Sequence, residues 1–217
     1  MSGFGADDEE GAIVLLLPEI LGEIFSHTMG DHYTGHSNLP MPHSALPWSI
    51  THVSRLWRDV ALSRADLWSQ VPCITLSSKK LREQADPPFM EYLEEILHRS
   101  KTNPIYVYIR GRYHPHLHKH FVDVFLSHVE RVKFLRIRCP EIIALLGSVK
   151  GRLLSLELLS VVCSVRIFKS PCDLFEISPR LVSVLIDIQD QPTMLLLPTH
   201  QIRDYFFSVK LGSDIGR

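Results

Sequence analysis

Several things are scarce in this 217-residue chain, and each scarcity removes a class of explanation. Charge of one sign is not in excess: 23 Lys and Arg stand against 24 Asp and Glu, a net charge of −1. That balance predicts no bulk attraction to nucleic acid or to an anionic membrane. Cysteine is rare, at four residues, Cys73, Cys139, Cys163 and Cys172, with no CxxC pair. Free thiols in a reducing compartment are expected, not a disulfide framework or a zinc knuckle. Long apolar runs are missing too. The densest, Ile13-Val14-Leu15-Leu16-Leu17, is far short of the ~20 residues that span a bilayer. It follows Asp7-Asp8-Glu9-Glu10, the opposite charge to a secretory leader. A cytoplasmic or nuclear location is expected, with no membrane partner. The 11 glycines are scattered, with no G-x-x-x-x-G-K, G-x-G-x-x-G or G-x-S-x-G, so no phosphate cradle, cofactor or catalytic residue is predicted.

What is present is apolar pattern. Hydrophobic residues make up 45% of the chain, enough for a core. Residues 1–12 are small and acidic and read as disordered. From Leu17 the period is helical: Pro18 suits a first turn, and Ile20, Leu21, Ile24 and Phe25 make one apolar stripe. Gly, Pro, His, Ser and Asn between His27 and Leu46 predict a loop. A second helix starts near Pro47-Trp48, with Ile50, Val53, Trp57, Val60 and Ala61 as its stripe and Arg55 and Asp59 spaced for an i, i+4 ion pair. A turn at Asp66-Leu67-Trp68 closes the segment.

Beyond it the period changes. Val71 to Leu76 reads as a strand, Pro88 to Arg99 as a helix, Ile105 to Ile109 as a strand, and Leu117, Phe121, Val124 and Phe125 mark another helix. A weak repeat follows in Val132–Ile137, Leu153–Leu158, Leu181–Ile186 and, more loosely, Ile202–Val209. Aligning Leu135, Leu156, Val184 and Tyr205 gives intervals of 21, 28 and 21 residues, in the range of leucine-rich repeats. The asparagine that usually closes such a repeat is missing, so the repeats are irregular. The last stretch runs into Leu211–Arg217 without a polar terminal cap, which predicts a truncated array.

The first segment resembles the F-box. The residues that carry the likeness are Leu17-Pro18-x-Ile20-Leu21, Ile24-Phe25, a variable loop, then Trp48-x-Ile50-x-x-Val53-Ser54-Arg55-x-Trp57-Arg58-x-x-Ala61 and Leu67-Trp68-Ser69. Ser54 stands where the usual pattern has Cys, and the loop is longer than in most F-boxes. Further on, Leu97-His98-Arg99-Ser100 with Asn103-Pro104-Ile105, and His128–Leu135, resemble segments of the large F-box families of mushroom-forming fungi. The resemblance implies an α+β architecture: a three-helix F-box over 13–70, then an irregular α/β leucine-rich-repeat-like region over 71–217. It also implies a substrate receptor of a Skp-cullin-F-box ubiquitin ligase, with a Skp-type adaptor and a protein substrate as partners. Adaptor contacts are expected from Leu17, Pro18, Ile20, Leu21, Ile24, Phe25, Val53, Trp57, Leu67 and Trp68.

Two other readings stand beside it. One is a repeat-type binding scaffold that does not engage a ligase. The other is a hydrolytic or metal-dependent enzyme using His114, His116, His118 and His120, because His116, His120 and Asp123 would share one helical face. Leu117, Phe121 and Val124 take the buried face of that helix, so the histidines are expected to be solvated and no metal is predicted.

Overall fold

The computed structural model describes residues 16–29, 46–71, 73–76, 87–112, 115–138, 140–163, 171–189 and 195–210. The expected disorder of residues 1–12, most of the loop after His27, His114 and Cys139 lie outside them. The chain divides into two compact units between Leu67 and Trp68, three residues before the expected boundary at 70.

In the first unit, α1 spans Pro18–Met29, α2 Leu46–Thr51 and α3 Arg55–Ser63, and a 3-10 turn begins at Ala65. The expected second helix is therefore two. Ser54 breaks it: its backbone is extended and its side chain accepts a hydrogen bond from Trp57 N–H at 3.2 Å, capping α3. That cap leaves Val53 in the joint, exposed, and not on a continuous stripe. Among the described residues Arg55 and Asp59 make no ion pair; both point to water, where such a pair is weak.

The second unit alternates strands and helices. β1 is Ile74–Leu76, α4 Pro87–Arg99, β2 Ile105–Gly111, α5 Pro115–Ser127, β3 Val132–Arg138, α6 Pro140–Leu145, β4 Leu158–Cys163, β5 Ser183–Gln189 and β6 Asp204–Lys210. All six strands are parallel and stand in chain order. Leu93 of α4, Phe121 of α5 and Ile142 of α6 pack in one core against the sheet. Two rows cross the sheet in register: Val107, Leu135, Leu159, Val184 and Tyr205, then Ile74, Ile109, Ile137, Val161, Ile186 and Phe207. From β1 through β5 these rows are buried with Leu93, Phe121, Ile142 and Phe175 in one core.

The register corrects the repeat alignment. Leu135 pairs with Leu159, not Leu156, so the intervals become 24, 25 and 21 residues. Leu153 and Leu156 are fully buried but precede β4; a short alternating run fits a strand and a core-facing turn equally well. The expected strand from Val71 is also shorter, since only Ile74–Leu76 pairs regularly with β2.

Two local devices hold the β1–β3 end. Gly111 has φ of +107°, and a Cβ there would lie 1.8 Å from the carbonyl oxygen of Leu76, so only glycine lets β2 pass β1. The guanidinium of Arg131 donates to the carbonyl oxygens of Leu97, Lys101 and Asn103. These acceptors lie in the last turn of α4 and just beyond it, where a cation complements unpaired carbonyls.

Leu135→Ala should destabilise the protein by about 2–5 kcal/mol, the cost of a core cavity. Leu154→Ala, at an exposed site of the same region, should stay within about 0.5 kcal/mol. Paired urea melts of the full chain check both; equal costs would show that the register of the core rows is wrong.

Candidate functional site

Each of the two units presents one surface that its core does not absorb, and the ten residues expected at an adaptor contact fall on both sides of that division. Leu17, just before α1, and Ile20 and Ile24 on it are 65%, 47% and 43% exposed, whereas Leu21 and Phe25 are 1% and 2% exposed. Leu17, Ile20 and Ile24 follow each other at i, i+3 and i+7, so they form one outward stripe. Leu21 and Phe25 form the inward one. Pro18 is exposed at the first turn.

Phe25 packs on Trp57 with ring centroids 5.0 Å apart and planes tilted 56°, a favourable aromatic geometry. Trp57 is thus half-buried and fixes α1 on α3. Leu67 is buried in the first unit. Trp68 is buried in the second, where the Arg99 guanidinium lies 5.0 Å from its ring centre. Leu21, Phe25, Leu67 and Trp68 are therefore core residues, and Leu17, Pro18, Ile20, Ile24 and Val53 are the ones a partner can touch. The helical period marks an apolar residue without telling which of two stripes faces inward.

Sequence reasoning missed the group that fixes α1, which is Arg64. Its Nη1 donates to Glu23 at 2.9 Å, its Nε and Nη2 take both oxygens of Asp66 at 3.0 and 2.9 Å, and Nη2 also reaches Ser26 Oγ at 2.8 Å. Ser26 in turn donates to Asp66 at 2.7 Å. Gly22 leaves room for this: a Cβ there would stand 2.8 Å from Arg64 Nη1. The hydrogen bonds that Arg64 donates to Asp66 and Glu23 raise its pKa, so the fork stays charged. Burial opposes ionisation of Asp66, but hydrogen bonds from Arg64 and Ser26 outweigh it and bring its pKa below the ordinary value. Asp66 is two residues from Arg64, but no local motif announces that Glu23 and Ser26, 41 and 38 residues away, complete its set of partners.

In the second unit, the face of the sheet opposite the core carries Tyr108, Arg136, Ser160, Leu185 and Phe206 in register, with Thr75, Arg110 and Arg138 in the next row of β1–β3. The helices contribute to the core face. Arg136 and Arg138 lie 5.3 and 6.0 Å from the Tyr108 ring centre, and Arg110 Nε donates to Thr75 at 2.9 Å. A small cavity lies under the sheet between Ile74, Leu93, Val107 and Phe121 and has room for at most one water.

His116, His118 and His120 do lie on α5; His120 is exposed, with Nε2 3.2 Å from Glu94 Oε1. The side chains of His116 and His118 are outside the described set. Among the described residues no group of His, Cys, Asp or Glu could hold a metal. Cys73 and Cys172 are free thiols whose pKa values burial pushes up. No described helix is long and apolar enough to cross a membrane.

Comparison with family models, curated proteins and solved structures returns no match for this chain.

Because the Asp66 pKa is lower in the folded chain, its contribution is complete above the ordinary carboxylate value and fades as pH falls through the lower, folded one. Arg64→Gln should cost about 1 kcal/mol near neutrality, after screening of its half-exposed partners. It should also flatten the loss of stability on acidification between about pH 5 and pH 2. Thermal melts of both proteins across that range test this; parallel pH profiles would show that Arg64 does not hold Asp66 ionised.

Proposed function

We propose that the first unit is a docking module of the F-box kind. In this reading the chain is a substrate receptor of a Skp-cullin-F-box ubiquitin ligase. The observation that carries it is the outward stripe of Leu17, Ile20 and Ile24 on α1, a helix that already buries Leu21 and Phe25 on its other side. A soluble protein that keeps large aliphatic side chains in one exposed row has a use for them, and association is the usual one. These residues belong to the Leu-Pro-x-Ile-Leu-x-x-Ile-Phe pattern that resembles the F-box, and Pro18 fixes the entry into the helix.

The partner of that stripe is a Skp-type adaptor, which bridges to the cullin and RING subunits. The second unit is the substrate side: an irregular leucine-rich-repeat-like array of parallel strands whose described helices contribute to the core face. The work is positional. A substrate held near a charged ubiquitin-conjugating enzyme reacts at a raised effective concentration, and this chain supplies no chemistry, metal or cofactor. A cytoplasmic or nuclear site of action goes with that role. The competing reading is a repeat-type scaffold in which the open sheet face binds a protein and the stripe on α1 engages no ligase.

The two readings part on one variant. Ile20→Ala with Ile24→Ala changes exposed side chains only, so the melting curve should be unaltered. Adaptor capture should weaken by about 30- to 1,000-fold, the cost of losing two apolar interface residues. Leu21→Ala is unsuitable because it opens the core. Wild-type affinity for the adaptor in the double variant, or no affinity in the parent chain, would leave the scaffold reading.

A further inference from the structure

The face of the sheet opposite the core has its arginines gathered at one end, on β2 and β3. Arg136 and Arg138 are two residues apart on β3 and share its outer face, and Arg110 pairs with Arg138 across β2 and β3. Sites two apart along a strand are ~6.6 Å from each other, and neighbours across strands ~4.8 Å. Three guanidinium groups are thus held together by backbone register. Like charges at such distances repel unless an anion sits among them.

Among the described residues no carboxylate pairs with any of the three. The acids of this face, Asp187 on β5 opposite Val162 and Asp204 on β6, stand two and three strands from β3. Beside the arginines two polar atoms are buried and lack a hydrogen-bond partner, Arg136 Nε and Ser160 Oγ; Asp187 Oδ1 is a third such atom on this face, an acceptor that calls for a donor and not for an anion. Arg136 and Ser160 are direct neighbours in register. Native proteins seldom leave such atoms unmet, and where they do a ligand or water is the usual explanation. Burial and the adjacent charge of Arg138 both push the Arg136 pKa down. An incoming anion would relieve both costs.

We propose that Arg110, Arg136 and Arg138 form a binding site for an extended acidic segment of a protein partner, with carboxylates at alternate positions. Alternate side chains of an extended chain lie on one side, ~6.6 Å apart, which matches the spacing of Arg136 and Arg138. Each guanidinium can take a carboxylate through two parallel N–H bonds. Arg138 and Arg110 are exposed and accessible, and half-buried Arg136 lies between Tyr108 and Ser160. A single nucleic-acid strand fits less well, because such proteins offer aromatic faces to bases. Here the Tyr108 ring is buried and already covered by Arg136 and Arg138.

This deepens the reading above by naming the substrate class, and rests on it only for the word substrate. The test is fluorescence anisotropy of the full chain with a labelled peptide of alternating glutamate and serine. Its glutamine counterpart and a single-stranded oligonucleotide serve as the other probes. The glutamate peptide should bind, weaken with salt, and bind about tenfold or more weakly to Arg110→Gln/Arg138→Gln. Both changes are at exposed positions, so circular dichroism should show an unchanged melt. The same double variant should capture the Skp-type adaptor as the parent does. Equal binding of the glutamine peptide, or an affinity the double variant retains, overturns the site. So does preference for the oligonucleotide that the double variant loses. Failure of adaptor capture with the peptide result intact would instead overturn the ligase reading and leave this site standing.

Discussion

The constraint on which the second unit depends is that a parallel strand with helices on one side only must sort its residues by parity. In a pleated strand each residue faces opposite to its neighbours. Parallel sheets usually bury both faces, and their strands then read as continuous apolar runs. These strands do not. In β3, Phe134, Leu135, Arg136, Ile137 and Arg138 alternate between the two faces, and Leu135 and Ile137 have no exposure at all. A slip of one residue would put Arg136 and Arg138 into the core, at a cost no helix could offset. The arginines therefore fix the register of the sheet as firmly as the leucines do. The same parity that builds the core assembles the cationic end of the other face.

A different device governs the first unit, where three short helices offer little apolar area. Its buried side chains, Leu21, Phe25, Ile50, Val60, Ala61 and Leu67, make a small core of the kind that is marginal alone. Arg64 adds directional contacts: one guanidinium ties Glu23 and Ser26 on α1 to Asp66 beyond α3. Burial of an apolar stripe normally sets how a helix is rotated about its axis, but α1 carries large apolar residues on two sides, and a fork with fixed donors helps to distinguish them. By holding Glu23 and Ser26, Arg64 sets which stripe of α1 is turned outward. The exposure of Leu17, Ile20 and Ile24 is in that sense a consequence of polar geometry.

How far the residues alone reveal this follows from the range of the forces involved. Helix and strand periods are local, and α1, α4, β2 and α5 are readable from them. Ser54 as a cap was readable in principle, since a serine before Arg55 is a helix-start signal, yet the longer period from Pro47 to Ala61 masked it. Register is not local. Leu156 and Leu159 are both leucines in a strand-like run, and only pairing with Leu135 shows which belongs to β4. The apolar candidates on α1 were found together, but the division between Ile20 and Leu21 depends on what packs against the helix. Likewise the clustering of Arg110 with Arg136 and Arg138 needs two strands to be laid side by side.

The last described strand carries the core rows onward without burying them. The core rows continue into β6 as Tyr205 and Phe207, in register with Val184 and Ile186. Both are exposed, unlike their partners. Their rings stack on one another, with centroids 6.3 Å apart and planes within 9°. Two residues apart on one strand, they recover by contact along the strand some of the burial that Val184 and Ile186 obtain from the core. Aliphatic residues at these positions would reach no such neighbour. Tyr and Phe on β6 thus stand in register with Val and Ile on β5, within an unchanged pleat.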